Sequence, residues 1–284
     1  MNPAPLEGTR QRIAQTFRGF TFDLDHDHER WISVAAATAP DRLASRVEHL
    51  TRRYGGQRDV AAAYLAMRVA AVVAGPLVGP YLLERRVPLV EPPITWLRTH
   101  PQLEFDRLAA GTSHFAALAD DPDAGHPDVT VVDADELTAV IVGAFAELLG
   151  PLLDNLRVVA PFGRRGMWGL VADSIGGCAL AAARETGTDH RPAWTAANDI
   201  LDRLRARGLP IGNRPRPLVA TCGGREFPFN IRGTCCLRYK AGEPPAHHDP
   251  DFGAYCHSCP LVDDDTLQRH YLDNARERLQ GESV

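Results

Sequence analysis

The sequence reads as an α+β chain, predominantly α-helical with a small antiparallel β-sheet and a cysteine-bearing segment near its C-terminus. Three observations carry this. Apolar residues recur at three- and four-residue spacing through several long stretches. Two β-prone runs flank Cys222-Gly223-Gly224, which is a hairpin signal. Four of the six cysteines fall within the twenty-five residues from Cys235 to Cys259.

The elements follow in order. Pro40-Asp41 opens a helix with Leu43, Val47, Leu50 and Tyr54 on one face, and Gly55 closes it. A second, more apolar helix runs from Asp59 to about Ala74 and is expected to stop at Gly75-Pro76. The surrounding apolar stretch, Ala61 to Leu83, is interrupted by Arg68, Gly75, Pro76, Gly79 and Pro80, and so reads as a buried helix, not a membrane span. From Arg86 to Leu108, the residues Val87, Leu89, Trp96 and Phe105 around Pro92-Pro93 indicate short strands. Asp133, with Glu136 three residues on, starts a helix through Leu137, Val140, Ile141, Ala144, Phe145 and Leu148, which Pro151 is expected to kink or end. Arg164 opens a helix with Trp168, Val171, Ile175, Cys178 and Ala182 in one stripe, and its Gly176 and Gly177 allow close packing. Pro192 to Arg207, stopped by Gly208, is the next helix, carrying Trp194, Ala197, Leu201 and Leu204. After Arg214-Pro-Arg-Pro217 the hairpin, Leu218–Thr221 and Arg225–Ile231, leads directly to Cys235. Asp263 to Asp265 complement the N-terminal dipole of a last helix with Leu267, Tyr271, Ala275 and Leu279.

Cys235-Cys236, nineteen residues, then Cys256-x-x-Cys259 is a metal-ligand pattern, and an all-sulfur set restricts the occupant to a centre such as zinc or an iron-sulfur cluster. A Cys-x-x-Cys half suits tetrahedral zinc. The adjacent pair does not, because neighbouring side chains of extended backbone point to opposite faces and converge only through an unusual local conformation. A two-iron cluster is a larger target for such a pair. Cys178 reads as a small buried hydrophobe and Cys222 as a spare thiol at the turn.

The run Arg232-Gly-Thr-Cys-Cys-Leu-Arg-Tyr-Lys240 with Cys256-His-Ser-Cys-Pro-Leu261 resembles the C-terminal signature of the FhuF-like ferric-siderophore reductases. Weaker likeness extends from about residue 60 to 272, through Arg165-Gly-Met-Trp-Gly-Leu-Val-Ala-Asp173. The resemblance implies a [2Fe-2S] cluster on Cys235, Cys236, Cys256 and Cys259. It also implies a C-terminal iron-sulfur segment, residues 214–284, packed on a mainly helical body, residues 1–213, with short strands and a candidate siderophore-docking region. This chain departs from the family in its longer spacer, which carries Pro244, Pro245, His247, His248, Asp249 and Pro250; added loop length costs little closure entropy. With four cysteines present, His247 and His248 read as solvated, while His257 is a candidate for tuning the cluster.

The implied activity is a cytoplasmic one-electron reduction of siderophore-bound Fe(III), releasing Fe(II) for iron assimilation. Hydroxamate or catecholate oxygens are hard donors that hold ferric iron far better than ferrous iron, so reduction alone loosens it. No Walker loop, Gly-x-Gly-x-x-Gly turn or Gly-x-Ser-x-Gly elbow is present, so a separate donor such as a ferredoxin or flavin reductase is expected. Arg164, Arg165, Trp168, Arg232, Arg238 and Lys240 are candidate docking groups for an oxygen-rich complex. From Arg214 to Lys240 there are six basic residues against one acid, and from Glu243 to Asp265 six acids and no Lys or Arg. Arg232, Arg238 or Lys240 beside a net-negative cluster is expected to favour its reduced form. The alternatives are an iron-sulfur electron carrier or redox sensor, or a binding protein with a structural zinc site.

The rest of the chain excludes other classes. With 284 residues, 44% of them hydrophobic, it can bury one large core or two modest ones, and a net charge of -5 gives no footprint for nucleic acid or an anionic membrane. The N-terminal run lacks a secretion signal, so a cytoplasmic protein with reduced thiols and no integral membrane contact is expected.

Overall fold

The computed structural model of the chain describes residues 4–27, 29–241 and 250–281. Its N-terminal part runs α1 (Pro5–Thr16), a single 3-10 turn (Arg18–Phe20), β1 (Trp31–Ser33), α2 (Val34–Ala37), α3 (Pro40–Arg53) and α4 (Arg58–Glu84). Five short strands follow: β2 (Arg86–Pro88), β3 (Trp96–His100), β4 (Glu104–Ala109), β5 (Phe115–Ala117) and β6 (Val129–Val131). The remainder is α5 (Ala134–Val159), α6 (Arg164–Thr186), α7 (His190–Ala206), the hairpin β7 (Arg216–Cys222) and β8 (Arg225–Ile231), and α8 (Asp264–Gly281). The fold is α+β and mostly helical. Its strands form three small sheets, β1-β3-β4, β2-β5-β6 and β7-β8. All pairings are antiparallel except that of β5 with β6, which is parallel.

The local signals account for most of these elements. Leu43, Val47 and Leu50 of α3 are buried, and the chain leaves the helix through Gly55 and Gly56, both at positive φ. Asp133 and Glu136 form a complete capping box on α5. Gly208, at φ 83, ends α7. The hairpin turns through Gly223 and Gly224 at φ 58 and 76, the twist that matches right-handed strands.

The stop expected at Gly75-Pro76 does not occur, and the helix expected to kink or end at Pro151 does not end there. The second helix continues through Pro76 and Pro80 to Glu84, and α5 continues through Pro151 to Val159. The reason is the residue in front. Much of the clash that drives a residue preceding proline out of the α region is between the proline ring and the preceding Cβ. All three interior prolines follow a glycine, as Gly75-Pro76, Gly79-Pro80 and Gly150-Pro151, and that clash is absent.

The glycines of α4 have a second use. A Cβ on Gly75 would lie 2.0 Å from the Gly19 carbonyl oxygen, and one on Gly79 would lie 2.7 Å from Phe20 Cβ. The 3-10 turn therefore rests directly on the α4 backbone. α4 is buried on most of its circumference and is the spine against which α3, α5, α6 and β4 pack. Arg68, its interior charge, reaches out to the Phe105 carbonyl at 2.8 Å. By length and composition α4, α5 and α6 are each apolar enough to cross a membrane, contrary to the reading of Ala61–Leu83; 72%, 56% and 78% of their most apolar windows is buried inside the fold.

A separate smaller core joins the hairpin to the last helix, through Leu218, Phe227, Phe229, Ile231, Phe252, Leu267, Tyr271 and Ala275. Phe229 stacks on Tyr271 at 4.3 Å. The α6 glycines let this unit and α7 close onto the body: a Cβ on Gly176 would meet Pro215 at 2.7 Å and Trp194 at 3.0 Å.

Replacing Gly75 by Ala should destabilise the protein by about 1–3 kcal/mol, the usual range for overpacking. Gly143→Ala, where the added Cβ meets only the side-chain ends of Arg207 at 3.7 Å and Glu147 at 4.0 Å, should stabilise α5 by up to about 1 kcal/mol. Urea midpoints measured on both variants check the pair.

Candidate metal centre

The hairpin hands the chain to the first cysteine pair under close control. Just past β8, the Arg232 amide donates to the Ser258 carbonyl at 3.0 Å, which clips this exit to the loop carrying Cys256 and Cys259. The next two amides, Gly233 and Thr234, donate to the Asp173 carboxylate of α6 at 2.7 and 3.2 Å. Thr234 in turn lies over Gly169, where any Cβ would sit 2.0 Å from its hydroxyl. Leu237, directly after the pair, is left-handed at φ 60, and its amide donates back to Cys235 Sγ at 3.4 Å. The chain thus leaves the adjacent cysteines through a left-handed residue.

The second pair is held by a tight turn, with the Cys259 amide donating to the Cys256 carbonyl at 2.8 Å. The four sulfurs meet in a chain. Cys236 Sγ lies 3.9 Å from Cys256 Sγ. Cys235 contacts Cys259, and Cys259 contacts Cys256. Cys236 and Cys259 are buried, while Cys235 and Cys256 are partly exposed. All six thiols of the chain are free of disulfides.

Arg232 presses into this group. Its Nη2 donates to Cys256 Sγ and its Nη1 to Met67 Sδ at 3.5 Å. Its buried Nε has no partner. The proton equilibria follow from these contacts. A hydrogen bond from Cys259 draws Cys235 down to about 6. Hydrogen bonds from Cys236 and Cys259, then the Arg232 charge, hold Cys256 far below the ordinary thiol range. Cys236 and Cys259, the donors, are pushed up. Burial works against the Arg232 charge, and the Cys236 and Cys256 sulfurs more than restore it.

A cavity of about 290 Å³ opens beside Cys236 and Cys256, walled by Tyr54, Tyr64, Met67 and Arg238. Arg238 lies over the Tyr54 ring at 4.9 Å. Burial pushes the Tyr54 hydroxyl up to about 12, which keeps it protonated at neutral pH. Among the described residues no group of three or more His, Cys, Asp or Glu forms a ready-made site for a metal ion. The donor chemistry nevertheless fits a thiolate-held centre: four free sulfurs in contact, two of them drawn towards thiolate, beside a cation with an unused donor.

The remaining expected residues scatter. Lys240 pairs with Asp59 at the start of α4 at 2.9 Å. Arg164 pairs with Asp154 at 2.6 Å, and Arg165 lies beside Gly212 and Arg205. Trp168 is fully buried, so its place in the docking set is corrected: the apolar stripe of α6 drives it into the core. The basic run is not one field either, since Arg214 pairs with Asp202 and Arg216 with Asp264. His257 packs against His270 and Phe252, with ring centroids 4.1 and 4.8 Å away. Cys222 packs on the smaller core, and Cys178 lines a larger cavity, only partly buried. His247 and His248 lie outside the described residues.

Tyr54, Tyr64 and Met67 belong to the site although no motif names them, and so do Asp173 and Ser258, which lie inside the quoted runs but were given no role there. Asp173 carried one signal, a lone acid within the apolar run Trp168–Ile175. No protein-family model, curated protein or solved structure matches this chain.

Burial raises Asp173 from an ordinary 3.8 to about 7. Its folded state therefore binds the proton more tightly than its unfolded state, and the stability this contributes is full below about pH 3.8 and lost as pH rises towards 7. Asp173→Asn should flatten the pH dependence of stability across that window relative to the parent protein, as read from urea midpoints. An unchanged slope would place the titration elsewhere.

Proposed function

We propose that the protein is a cytoplasmic ferric-siderophore reductase, in which Cys235, Cys236, Cys256 and Cys259 hold a [2Fe-2S] cluster. What supports this reading is the gathering of those four sulfurs, from two loops clipped together by the Arg232–Ser258 backbone bond, around one guanidinium. When bound, such a cluster supplies a one-electron store between a separate donor, a ferredoxin or a flavin reductase, and the ferric iron of a siderophore, which leaves as ferrous iron while the siderophore stays intact.

The chain's own residues prepare the site for that chemistry. Arg232 places positive charge against the sulfurs, which favours added negative charge there and raises the reduction potential. The Leu237 amide directed at Cys235 acts in the same sense. Tyr54, Tyr64 and Met67 cover the Cys236 and Cys256 side and restrict water. Arg238, over the Tyr54 ring in the same cavity, adds a second positive charge beside the sulfurs. Lys240 is tied to Asp59, and Arg164 and Arg165 line neither this cavity nor the sulfurs.

Anaerobically purified protein should contain iron and acid-labile sulfide and give a low-temperature EPR signal after dithionite that a ferric siderophore extinguishes. Zinc in place of iron would support the structural-zinc reading, and a reducible cluster inert towards chelated iron would support the electron carrier. Cys236→Ser or Cys259→Ser should abolish the stable cluster, whereas Cys178→Ser and Cys222→Ser should retain it. A normal cluster in Cys236→Ser would overturn the ligand assignment.

A further inference from the structure

A second, larger cavity of about 810 Å³ lies between α1, α4 and α6 and is lined by Arg10, Arg68, Arg107 and Arg184, with Ser174 and Cys178. None of the four arginines belongs to the docking set expected from sequence. We propose that this cavity binds a polyanionic, oxygen-rich ligand. On the reductase reading, on which this identification rests, the ligand is a ferric complex of a catecholate-type siderophore.

Charge is the first argument. Four guanidinium groups face one lining carboxylate, Asp106, and that is engaged by Arg98 at 2.7 Å. Arg10 and Arg107 have acid partners, Glu7 at 2.6 Å and Asp23 at 2.7 Å. Arg68 and Arg184 bond chiefly to carbonyls, of Phe105 at 2.8 Å and Pro228 at 2.9 Å, and Glu185 sits at 3.3 Å from Arg184. The buried Nε of Arg107 has no partner. Carbonyl partners leave net positive charge, which an anion neutralises. Burial and the neighbouring Arg278 also hold Arg184 below its ordinary pKa, a penalty that a bound anion relieves. In a chain of net charge -5 this concentration runs against the composition.

Size is the second. Ligand pockets commonly hold about 300–1,000 Å³, and the cavity at the sulfurs, about 290 Å³, lies just below that range. The arginine-lined cavity lies well inside it.

Connection to the sulfurs is the third. Ser174, in the cavity lining, is bonded to Asp173, whose carboxylate takes the amides of Gly233 and Thr234 just before Cys235. Arg68, also in the lining, follows Met67, which meets Arg232. The cavity and the sulfur centre thus share the walls α4 and α6.

The ligand class follows from charge. Each catecholate brings twice the negative charge of a hydroxamate, so a ferric complex saturated by catecholates is a polyanion and its hydroxamate counterpart is neutral. A cavity built from guanidinium groups distinguishes the two.

The test uses gallium(III) complexes, which have the shape of the ferric ones and accept no electron, so binding is read apart from reduction. Equilibrium titration of the anaerobically purified protein should show the gallium tris-catecholate binding at least about ten-fold tighter than the gallium tris-hydroxamate, with strong salt dependence. Arg68→Gln should weaken the catecholate complex about ten-fold or more. Ala71→Trp should weaken it as well: Ala71 is an exposed lining residue of α4, and the bulk blocks the cavity while every arginine stays in place. Arg165→Gln should leave binding unchanged. Equal affinity for the two complexes, indifference to both Arg68→Gln and Ala71→Trp, or loss on Arg238→Gln instead would overturn the proposal. If gallium catecholate binds as expected but its ferric counterpart is not reduced, the cavity stands and the reductase reading falls. If ferric complexes are reduced while the gallium results fail, the reverse holds.

Discussion

The contact between the Arg232 guanidinium and the thiol sulfurs is the interaction on which the rest of the centre depends. A largely buried cation needs negative charge close by, or its desolvation is uncompensated. Two sources surround it. One is Asp173, whose carboxylate is nearly fully buried and is itself pushed towards the neutral form. The other is the sulfur group, in which Cys235 and Cys256 are drawn down while Cys236 and Cys259 serve as donors. Arg232 is thus matched mainly by sulfur.

Small residues on two helices make that arrangement reachable. Gly169 gives Thr234 room to seat beside α6, and Asp173, four residues on and so on the same face, takes the two amides that follow Arg232. The hairpin alone fixes where Ile231 ends; the carboxylate fixes the direction in which Cys235 and Cys236 leave. On α4, Gly75 and Gly79 admit the N-terminal turn, so the same helix that presents Met67 to Arg232 is pinned about two to three turns later. Rigidity at the centre comes from backbone approach, with side-chain packing added around it.

Much of this was legible in the sequence where the determinants are local. Capping at Asp133, the Gly223-Gly224 turn, the strands between Arg86 and Leu108 and the grouping of cysteines are each set by residues close in the chain. Gly75-Pro76 was read as a stop and Pro151 as a kink or an end because proline was weighed without the glycine before it, and the dipeptide, not the proline, decides. Trp168 was divided between core and docking because a stripe on an isolated helix does not say what lies opposite. Asp173, Tyr54 and the arginine-lined cavity were out of reach for a different reason. Each depends on pairing across more than forty residues, as in Asp173 with Gly233 or Arg184 with Pro228, and periodicity carries no information at that range.

The two cavities, taken together, suggest a division of electrostatic labour. A thiolate-rich centre is negative, and an oxygen-rich ferric complex of the catecholate type is negative too, so placing both against one cation would set them in competition for it. Here Arg232 and Arg238 line the cavity at the sulfurs, while Arg10, Arg68, Arg107 and Arg184 line the larger one. On the proposed reading each negative partner has its own positive charge, and a short path of bonds links the two places: Ser174 adjoins Asp173, which accepts the amide of Thr234 next to Cys235. A single electron needs proximity and not contact. Separate cation sets can therefore hold two anions near each other at less mutual cost than a shared set, and that is the sense in which this fold suits the proposed reaction.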